Sequence, residues 1–479
     1  MVNRSKNKQH IVIIGGGLAG LSAAEWLLRQ KLPPKVTIVE SSDRLGGVIE
    51  TVNQGEWLIE RSADSFLSVR PEGIELVERL GITKELISIN PEARRALIWS
   101  SQKGGDSGAL LPVPQGFRLL APGRIIPFMR SNILSCFGRL RVAGERFIPR
   151  RSHNNLDESL ESFAVRRLGQ EAFDKLVQPL VSGIWTADPR RLSMAAACPE
   201  FLKMEQDWGS LTKGEKKRAA LANDTSDSSG ARYGQFVSFK RGMQTLIDAL
   251  ESRLRNAGVL VVQDHVRSLQ RDGSEWQVAL GNQSIRADGV VLGVPASTAA
   301  TMVSTMSPNL SSELKMIKFS GAAVVSLGFD RRDVSHSLQA AGMIIPKVAG
   351  KRILAASFSS SKFPGRAPSG AVLIRTFIGG ALDTKITTLT DEQVIEKVLI
   401  DLRTTIGLHG SPSIVQVDRW HRSMPQYNLG HVERIKKIRQ AEEKLPFFGL
   451  AGSAYEGVGI PQVILSGQTA AARAITGLS

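Results

Sequence analysis

Three glycines with a fixed spacing are the first residues in the chain whose types suggest a chemical task. Gly15, Gly17 and Gly20 follow the apolar run 10–14 and overlap the start of a helical apolar pattern at Leu18. In a strand–turn–helix unit, such glycines permit a tight turn and a close approach of the backbone to a pyrophosphate. The open N–H groups and the dipole of the helix favour the phosphate charge. The motif predicts a dinucleotide site, although a simple glycine turn before a helix has the same appearance.

An acidic residue and a second pair of glycines narrow the choice of dinucleotide. Glu40 ends the next apolar strand, where a carboxylate can accept hydrogen bonds from the ribose hydroxyls and would repel a 2′-phosphate. Arg44, Gly46 and Gly47 then form an Arg-x-Gly-Gly motif. The glycines allow a second close backbone approach, and the arginine brings positive charge to a diphosphate. This extension is typical of FAD proteins and absent from NAD dehydrogenases, so the sequence predicts FAD and argues against NADP.

The composition limits the classes of function. The chain has 479 residues, enough for two or three domains, and a formal net charge of +16. Such a charge suits anionic lipid, nucleic acid or acidic substrates, but no recognition motif for nucleic acid accompanies it. Two cysteines cannot build a disulfide framework, and the seven histidines lack metal-ligand spacing. We therefore expect no metal and a reducing, cytoplasmic compartment. The first nine residues are polar and do not predict a signal peptide.

The order of strand and helix patterns predicts an α/β plus α+β fold. We expect a discontinuous, Rossmann-like FAD-binding domain, an α+β substrate domain and an inserted helical domain that faces a membrane. The predicted FAD-binding parts are 1–92, 233–300 and 416–479, the substrate domain is 301–415, and the insertion is 93–232. Within the insertion, the polar low-complexity stretch 214–233 predicts a flexible loop.

The segment 117–141 interleaves large apolar residues with arginines and contains no acidic residue. Basic apolar helices that lie on an anionic membrane surface have this character. A helical lid whose arginines point into water would have the same composition. We favour peripheral contact with the inner face of the cell membrane over the lid.

Several short motifs, taken together and in order, resemble the porphyrinogen oxidases, a family of haem synthesis among the amine-oxidase-like flavoproteins. The resemblance covers nearly the whole chain. The matching motifs occupy residues 63–66, 111–116, 181–184, 188–193, 239–246, 363–368, 377–380, 424–431 and 451–460. Two departures stand out, because Ser62 and Ala63 replace a Gly-Pro pair and Ser453 replaces an asparagine common in the family.

The resemblance implies a reaction in which the cofactor does the difficult chemistry. Flavin N5 takes hydride from the meso carbons of a porphyrinogen, and O2 reoxidises the flavin with release of hydrogen peroxide. No side chain of the protein is then required as a catalytic acid, base or nucleophile. The implied partners are a tetrapyrrole and O2, with a homodimer and transfer of the product to ferrochelatase or another haem-pathway enzyme as further expectations.

The resemblance also assigns substrate-binding roles to individual residues. Phe377 matches an aromatic residue that packs on the macrocycle, and a residue of the strand core is the less favoured alternative. Arg95 matches an arginine that pairs with a ring propionate, and Gly183 lines the pocket beside a meso carbon. Ile344 and Ser357 flank the opposite face.

One further carboxylate partner, Arg70, is inferred from its charge rather than from the family.

The cofactor-binding residues that the resemblance adds lie in four places. Val266 contacts the adenine through its backbone, Trp420 lies by the flavin, and the others are Asp64, Ser65, Gly452, Gly459 and Ile460.

The exact substrate and activity stay open at this point. Protoporphyrinogen IX carries two propionates and coproporphyrinogen III four, and the basic charge leans towards the latter. An amine oxidase or a carotenoid desaturase could use the same fold, but the chain has only three tyrosines for an aromatic amine cage. A non-catalytic carrier is a third alternative.

Overall fold

The computed structural model of the chain describes residues 8–101, 107–151, 157–221 and 235–476. Its strands, numbered in chain order, are β1 (His10–Ile14), β2 (Lys35–Glu40), β3 (Thr51–Gln54), β4 (Trp57–Glu60), β5 (Phe66–Leu67), β6 (Leu86–Ser88), β7 (Ala96–Ser101), β8 (Gly108–Pro112), β9 (Phe117–Arg118), β10 (Ala121–Pro122), β11 (Phe236–Phe239), β12 (Leu260–Gln263), β13 (Ser268–Asp272), β14 (Glu275–Ala279), β15 (Ser284–Ala287), β16 (Gly289–Leu292), β17 (Lys318–Asp330), β18 (Gly342–Ile344), β19 (Ile353–Phe358), β20 (Ala371–Gly379), β21 (Ile414–Gln426) and β22 (Phe448–Leu450).

The helices are numbered in the same way. They are α1 (Leu18–Leu28), α2 (Pro71–Arg79), α3 (Ile125–Met129), α4 (Cys136–Ala143), α5 (Leu160–Leu168), α6 (Gln170–Ala172), α7 (Gln178–Trp185), α8 (Met194–Ala197), α9 (Pro199–Trp208), α10 (Leu211–Leu221), α11 (Gln244–Asn256), α12 (Ala296–Met302), α13 (Pro308–Lys315), α14 (Ser359–Lys362), α15 (Asp391–Ile406), α16 (His431–Glu442) and α17 (Ile460–Ile475).

Five parallel strands form the first sheet, in the order β12-β2-β1-β16-β22. Alternate residues of β1 enter two different cores, Ile11 and Ile13 on one face and Val12 and Ile14 on the other. A parallel sheet covered on both faces explains why these strands are continuously apolar in the sequence. The strands come from distant parts of the chain, so the predicted α/β fold with a discontinuous Rossmann-like domain is confirmed.

The second sheet has seven strands in the order β21-β17-β20-β19-β18-β7-β8. One face packs on α15 through a core that includes Val394 and Val398. The other face carries Ile98, Ile344 and Ala355 into a core shared with the helices between α5 and α9. The predicted α+β character of this part of the chain is therefore correct.

Two predicted domain boundaries are wrong, because strands assigned elsewhere belong to the second sheet. β7 and β8 lie within the predicted insertion 93–232 but pair with β18 and with each other. β21 crosses the predicted boundary at 416 and pairs with β17. Alternation of apolar residues identifies a strand, but the sheet it joins depends on partners far away in the chain.

The predicted flexible loop 214–233 is wrong over residues 214–221, which belong to α10. Buried Glu215 accepts a hydrogen bond from buried Arg118 at 2.9 Å, and Arg118 lies over the ring of Phe201. This ion pair fixes a helix whose sequence alone is polar. Residues 222–233 of the prediction lie outside the described part of the chain.

The arginine-rich segment 117–141 divides into buried and exposed parts. Phe117, Arg118 and Phe128 are buried. By contrast, Ile126 and Phe137 are 68% and 86% exposed, and Arg124 and Arg130 are exposed as well. Arg118 is therefore not available as a surface arginine, because it neutralises Glu215. Among the described residues, no helix combines the length and apolar composition needed to cross a bilayer.

Candidate functional site

The first glycine loop joins β1 to α1 and depends on the absence of side chains. Gly15 has φ +103°, and its N–H donates to the Val39 carbonyl oxygen at 2.8 Å. A Cβ added to Gly20 would lie 2.0 Å from the Gly15 carbonyl oxygen. α1 and β1 can therefore pack this closely only with glycine at position 20.

The second glycine loop lies directly against the first. The Gly46 N–H donates to the Gly16 carbonyl oxygen at 2.9 Å, and Gly46 and Gly47 both have positive φ. A Cβ on Gly47 would approach the Gly17 Cα to 3.1 Å. The two loops thus form one surface of bare backbone, as the sequence predicted.

The charged residues of this region hold the loops in place. The Arg44 guanidinium donates to the carbonyl oxygens of Leu45 at 3.0 Å, Ile49 at 3.1 Å and Gly47, and pairs with Glu50 at 3.0 Å. These contacts order the loop. The predicted contact between Arg44 and a diphosphate stays a prediction.

Glu40 is held by the same loops. Its Oε2 accepts from the Gly16 N–H at 2.6 Å, and its Oε1 accepts from the N–H and the hydroxyl of Ser42, each at 2.8 Å. Burial by itself would raise the pKa of Glu40, but the hydrogen bonds from Ser42 and Gly16 outweigh it and lower the pKa below its usual range. Glu40 is thus ionised and can accept from ribose hydroxyls. Val266 lies in the connection after β12, which pairs Gln263 with Glu40.

These residues fit the dinucleotide that the sequence predicts. The N-terminus of α1 has Gly17 as its cap and no side chain that satisfies its open N–H groups. Bare backbone from both glycine loops adjoins that helix end. The ionised carboxylate of Glu40 lies at the end of β2, the strand next to β1. The donors and the open approach are those needed by a diphosphate linked to a ribose.

The carboxy-terminal loop is brought to the same domain by α17. A Cβ on Gly467 would lie 2.2 Å from the Ala19 carbonyl oxygen, so α17 and α1 are in backbone contact. Gly452 has φ +132° and its N–H donates to Ser466 Oγ at 3.0 Å. Gly459 caps α17, which starts at Ile460. The structure thus brings the three predicted residues of this loop to the domain that carries the first loop.

Two buried aromatic residues, Tyr427 and His431, pack against the carboxy-terminal loop and hold it in place. Burial raises the pKa of Tyr427, so its hydroxyl keeps a proton and donates to the Ser453 carbonyl oxygen at 2.7 Å. The same hydroxyl accepts from the Gly457 N–H at 2.7 Å. His431 stacks on Tyr427 with ring centroids 4.0 Å apart. His431 is therefore a structural residue beneath the loop.

The register of the second sheet aligns the predicted substrate residues in one row. Phe377 pairs with Ala355, which pairs with Ile344, and directly opposed residues share a face. A Cβ built on exposed Gly183 would meet Ile344 and Ala355 at 3.7 and 3.9 Å. The structure brings Phe377, Ile344 and Gly183 together. Their contact with a macrocycle stays a prediction.

Trp420 lies on the same face of the sheet. It pairs with Ala322, which pairs with Gly379, two residues along β20 from Phe377. The indole Nε1 donates to the Arg61 carbonyl oxygen at 2.9 Å. The face with the substrate row thus also contacts the connection that follows the β3–β4 hairpin.

The predicted cofactor-binding residues Asp64 and Ser65 lie in a charged cluster beside Phe377. The sequence did not predict its two cations, Lys362 and Arg375. Asp64 lies 2.9 Å from Lys362 Nζ and 3.3 Å from Arg375. Ser65 donates to Asp64 at 2.7 Å and Ser357 donates at 3.4 Å. Lys362 directly precedes the 363–368 motif, which was the available signal, but nothing local shows that it meets Asp64.

The cluster fixes the protonation state of Asp64. Burial alone would raise its pKa, but the charges of Lys362 and Arg375 and the hydrogen bonds from Ser65 and Lys362 hold the pKa of Asp64 well below its usual range. Arg375 also lies over the ring of Phe377, 5.4 Å from its centroid. One carboxylate and two cations leave this end of the row with a net positive charge.

The two predicted carboxylate partners do not line the same cavity. Exposed Arg95 precedes β7 and lines a cavity of about 460 Å³. Exposed Arg70 instead caps α2 and is not among the residues that line this cavity. The cavity contains a different arginine, Arg130, which the sequence reasoning assigned only to a membrane surface. Within the described residues, no group of His, Cys, Asp or Glu is placed to hold a metal ion.

The chain matches known proteins along nearly its whole length. The sequence pattern of the family described as "Flavin containing amine oxidoreductase" matches residues 18–475. The chain is 35% identical to coproporphyrinogen III oxidase of Bacillus subtilis, over 98% of this chain and 99% of that protein. It is 30% identical to protoporphyrinogen oxidase of Bos taurus, over 97% and 98% of the two chains.

A solved structure has the same fold as this chain. A protein from Exiguobacterium sp. 255-15, provisionally described as a protoporphyrinogen oxidase, superposes with a TM-score of 0.83 at 26% identity. The superposition covers 97% of this chain and 98% of that one.

We predict that Asp64→Ala lowers the free energy of unfolding by about 3 kcal/mol, because it leaves Lys362 and Arg375 buried without a counter-charge. The control is Asp330→Ala, which breaks an exposed pair with Arg332 and should cost less than about 1 kcal/mol. Urea denaturation measures both. Equal losses in the two variants would show that the Asp64 cluster does not behave as a buried one.

We also predict a pH effect from His431. Burial, the largest influence, lowers the pKa of His431 to about 4. Between pH 6.5 and 4 the unfolded chain therefore binds a proton that the folded chain does not, so stability falls as the pH falls. Between pH 7 and 4.5 this amounts to about 2 kcal/mol. Denaturation curves of His431→Gln should show a loss of unfolding free energy between these two pH values that is smaller by this amount. An unchanged pH dependence would contradict the lowered pKa of His431.

Proposed function

We propose that this chain, which belongs to the family of flavin-containing amine oxidoreductases, oxidises a porphyrinogen with FAD as its cofactor. The observation that carries the proposal is the row formed by Phe377, Ala355 and Ile344, with a positively charged cluster at its end. An apolar surface flanked by cations suits a macrocycle that bears carboxylates. The names of the Bacillus subtilis and Bos taurus relatives support the same class of substrate.

FAD, when bound, supplies the hydride acceptor for the meso carbons and passes the electrons to O2, which leaves as hydrogen peroxide. The residues of the chain bind and orient the substrate. Partly exposed Phe377 offers an apolar contact that excludes water from one side of the macrocycle, and Ile344 is buried in the core beside it. Asp64 is ionised beside Lys362 and Arg375, so it holds no proton to donate. Because the cluster is positive, it disfavours a protonated amine as the substrate.

Coproporphyrinogen III is the substrate we favour. The chain is 35% identical to a relative named for coproporphyrinogen III and 30% identical to one named for protoporphyrinogen. Its net charge of +16 suits the substrate with four propionates, since each carboxylate gains from a charge-assisted partner.

Anaerobic mixing of the FAD-loaded protein with each porphyrinogen tests the proposal. We expect coproporphyrinogen III to bleach the flavin absorbance, and Phe377→Ala to slow bleaching about tenfold by removing aromatic contact while the FAD content is unchanged. Phe137→Ala, at an exposed position in α4, is the control and should match the wild type.

Other outcomes separate the alternatives. Bleaching by a primary amine but by no porphyrinogen would favour an amine oxidase. A protein that cannot be loaded with FAD would favour a non-catalytic carrier. Equal loss of bleaching rate and FAD in Phe377→Ala would argue against its proposed role in the substrate site.

The same proposal includes a cytoplasmic location at the inner face of the membrane. Support comes from large apolar side chains that are exposed in α3, α4 and the following turn. They are Ile126, Phe137, Leu140 and Phe147, with exposed fractions of 68%, 86%, 60% and 75%. Exposed Arg124, Arg130 and Arg146 lie in the same stretch of the chain. Apolar side chains flanked by arginines suit an anionic lipid surface.

We predict that the double variant Phe137→Ser/Phe147→Ser binds phosphatidylglycerol-containing vesicles at least about tenfold more weakly, because two aromatic side chains no longer enter the lipid. Vesicle sedimentation measures the effect. Leu32→Ser is the control, since Leu32 is 89% exposed but lies after α1. Undiminished binding of the double variant would contradict membrane contact through this region.

A further inference from the structure

Asp418 lies on the same face of the second sheet as the proposed substrate row. It pairs with Val324 across β21 and β17, and Val324 pairs with Phe377 across β17 and β20. Ala323 and Val325, the neighbours of Val324, lie in the core on the opposite face. Because directly opposed residues share a face, the sheet carries a carboxylate two strand spacings, or about 10 Å, along the row from Phe377.

Asp418 is buried, and Arg61 compensates its charge. The Asp418 side chain has an exposed fraction of 0%, and its Oδ1 accepts from Arg61 Nε at 2.6 Å and from Gln416 Nε2 at 3.0 Å. Among the described residues, none donates a hydrogen bond to Asp418 Oδ2. A buried carboxylate that loses its cation is strongly unfavourable. The stability of Asp418 in this position therefore depends on Arg61.

Arg61 also contacts the segment that carries the second glycine loop. It directly follows β4, Glu50 directly precedes β3, and the Arg61 N–H donates to the Glu50 carbonyl oxygen at 3.0 Å. This extension of the hairpin brings Arg61 Nη1 to 2.6 Å from Glu50 Oε2. The same oxygen lies 3.0 Å from Arg44 Nη2, and Arg44 donates to the Gly47 carbonyl oxygen. One arginine thus bridges the substrate face and the glycine loop.

The four charged residues Asp418, Arg61, Glu50 and Arg44 form a chain of alternating charge, which we call the Asp418–Arg44 relay. Its charges sum to zero, so the relay is complete without a further ion. Arg44, Arg61 and Glu50 have exposed fractions of 32%, 33% and 21%, and partly exposed pairs are only modestly stable in water. The pairs at the Glu50 end are therefore weak enough to break and re-form.

We propose that Arg61 is a positioning residue that couples the two sites, so that a tetrapyrrole on the substrate row and FAD on the glycine loops each strengthen binding of the other. The inference rests on the proposed function. A macrocycle on Phe377 would replace water near Asp418, and the lower dielectric strengthens the attraction between Asp418 and Arg61. Fixing Arg61 also fixes Glu50 and Arg44, so the glycine loop loses less freedom when FAD binds. Such coupling is reciprocal.

The affinity for FAD, measured with and without a porphyrin, tests the relay apart from turnover. Flavin-free protein is dialysed to equilibrium against FAD, alone or with coproporphyrin III at a concentration that saturates the change in porphyrin absorbance. This porphyrin is already oxidised and does not reduce the flavin. We expect it to lower the FAD Kd of the wild type at least about fivefold. Arg61→Gln should raise the Kd for FAD alone about tenfold, as the loss of a charged hydrogen bond implies, and should remove the effect of the porphyrin.

Three further variants complete the design. Arg61→Lys keeps the charge without the planar fork that reaches both carboxylates, and should recover part of the coupling. Asp418→Asn breaks the relay at its buried end, in the second sheet, and should also remove the effect of the porphyrin. Arg332→Gln makes the same charge change in the exposed pair with Asp330 and should behave like the wild type.

The ratio of the two FAD Kd values separates coupling from a general loss of stability, which would change both values alike. If the porphyrin binds the wild type but leaves its FAD Kd unchanged, the relay is overturned and the proposed function stands. The same conclusion follows if Arg61→Gln or Asp418→Asn keeps the wild-type ratio. If the wild type binds FAD but no porphyrin, the proposed function is overturned and the coupling with it.

Discussion

The ion cluster around Asp64 is the interaction on which the site depends. Asp64 follows the hairpin of the nucleotide domain, whereas Lys362 and Arg375 belong to the second sheet and its short helix. Two nearly buried cations are tolerated only when a carboxylate neutralises part of their charge. The cluster therefore fixes the second sheet against the nucleotide domain. Since Arg375 also lies over Phe377, it positions the residue that the proposed substrate would contact.

Close backbone contacts assemble the nucleotide side of the site. Gly20 lets α1 approach β1, Gly47 lets the second loop approach Gly17, and Gly467 lets α17 approach α1. A Cβ atom would clash at Gly20 and Gly467 and would crowd Gly17 at Gly47, where φ is also positive, so all three positions favour glycine. Together they bring loops from the two ends of the chain to one domain, where donors for a diphosphate and an ionised acid already lie.

Arginines in the helical region serve opposite purposes depending on their partners. Arg118 and Arg167 are buried and pair with Glu215 and Glu145, which lie in other elements. Removing such a guanidinium from water requires a counter-charge in place. Arg130 has no such partner among the described residues and lines a cavity instead. Composition alone treated Arg118 and Arg130 alike and assigned both to a surface.

The sequence by itself determined the parts of the protein that depend on neighbours in the chain. The glycine spacing, the acid after β2 and the ordered short motifs identified the FAD-binding fold and the family, because strand–turn–helix geometry is local. Tertiary structure alone decided which sheet β7, β8 and β21 join, that residues 214–221 are helical, and that Asp64 meets Lys362 and Arg375. These outcomes depend on pairing and burial between residues up to about three hundred positions apart. No periodic pattern within one segment contains that information, because the energy of a buried charge is set by the partner that reaches it.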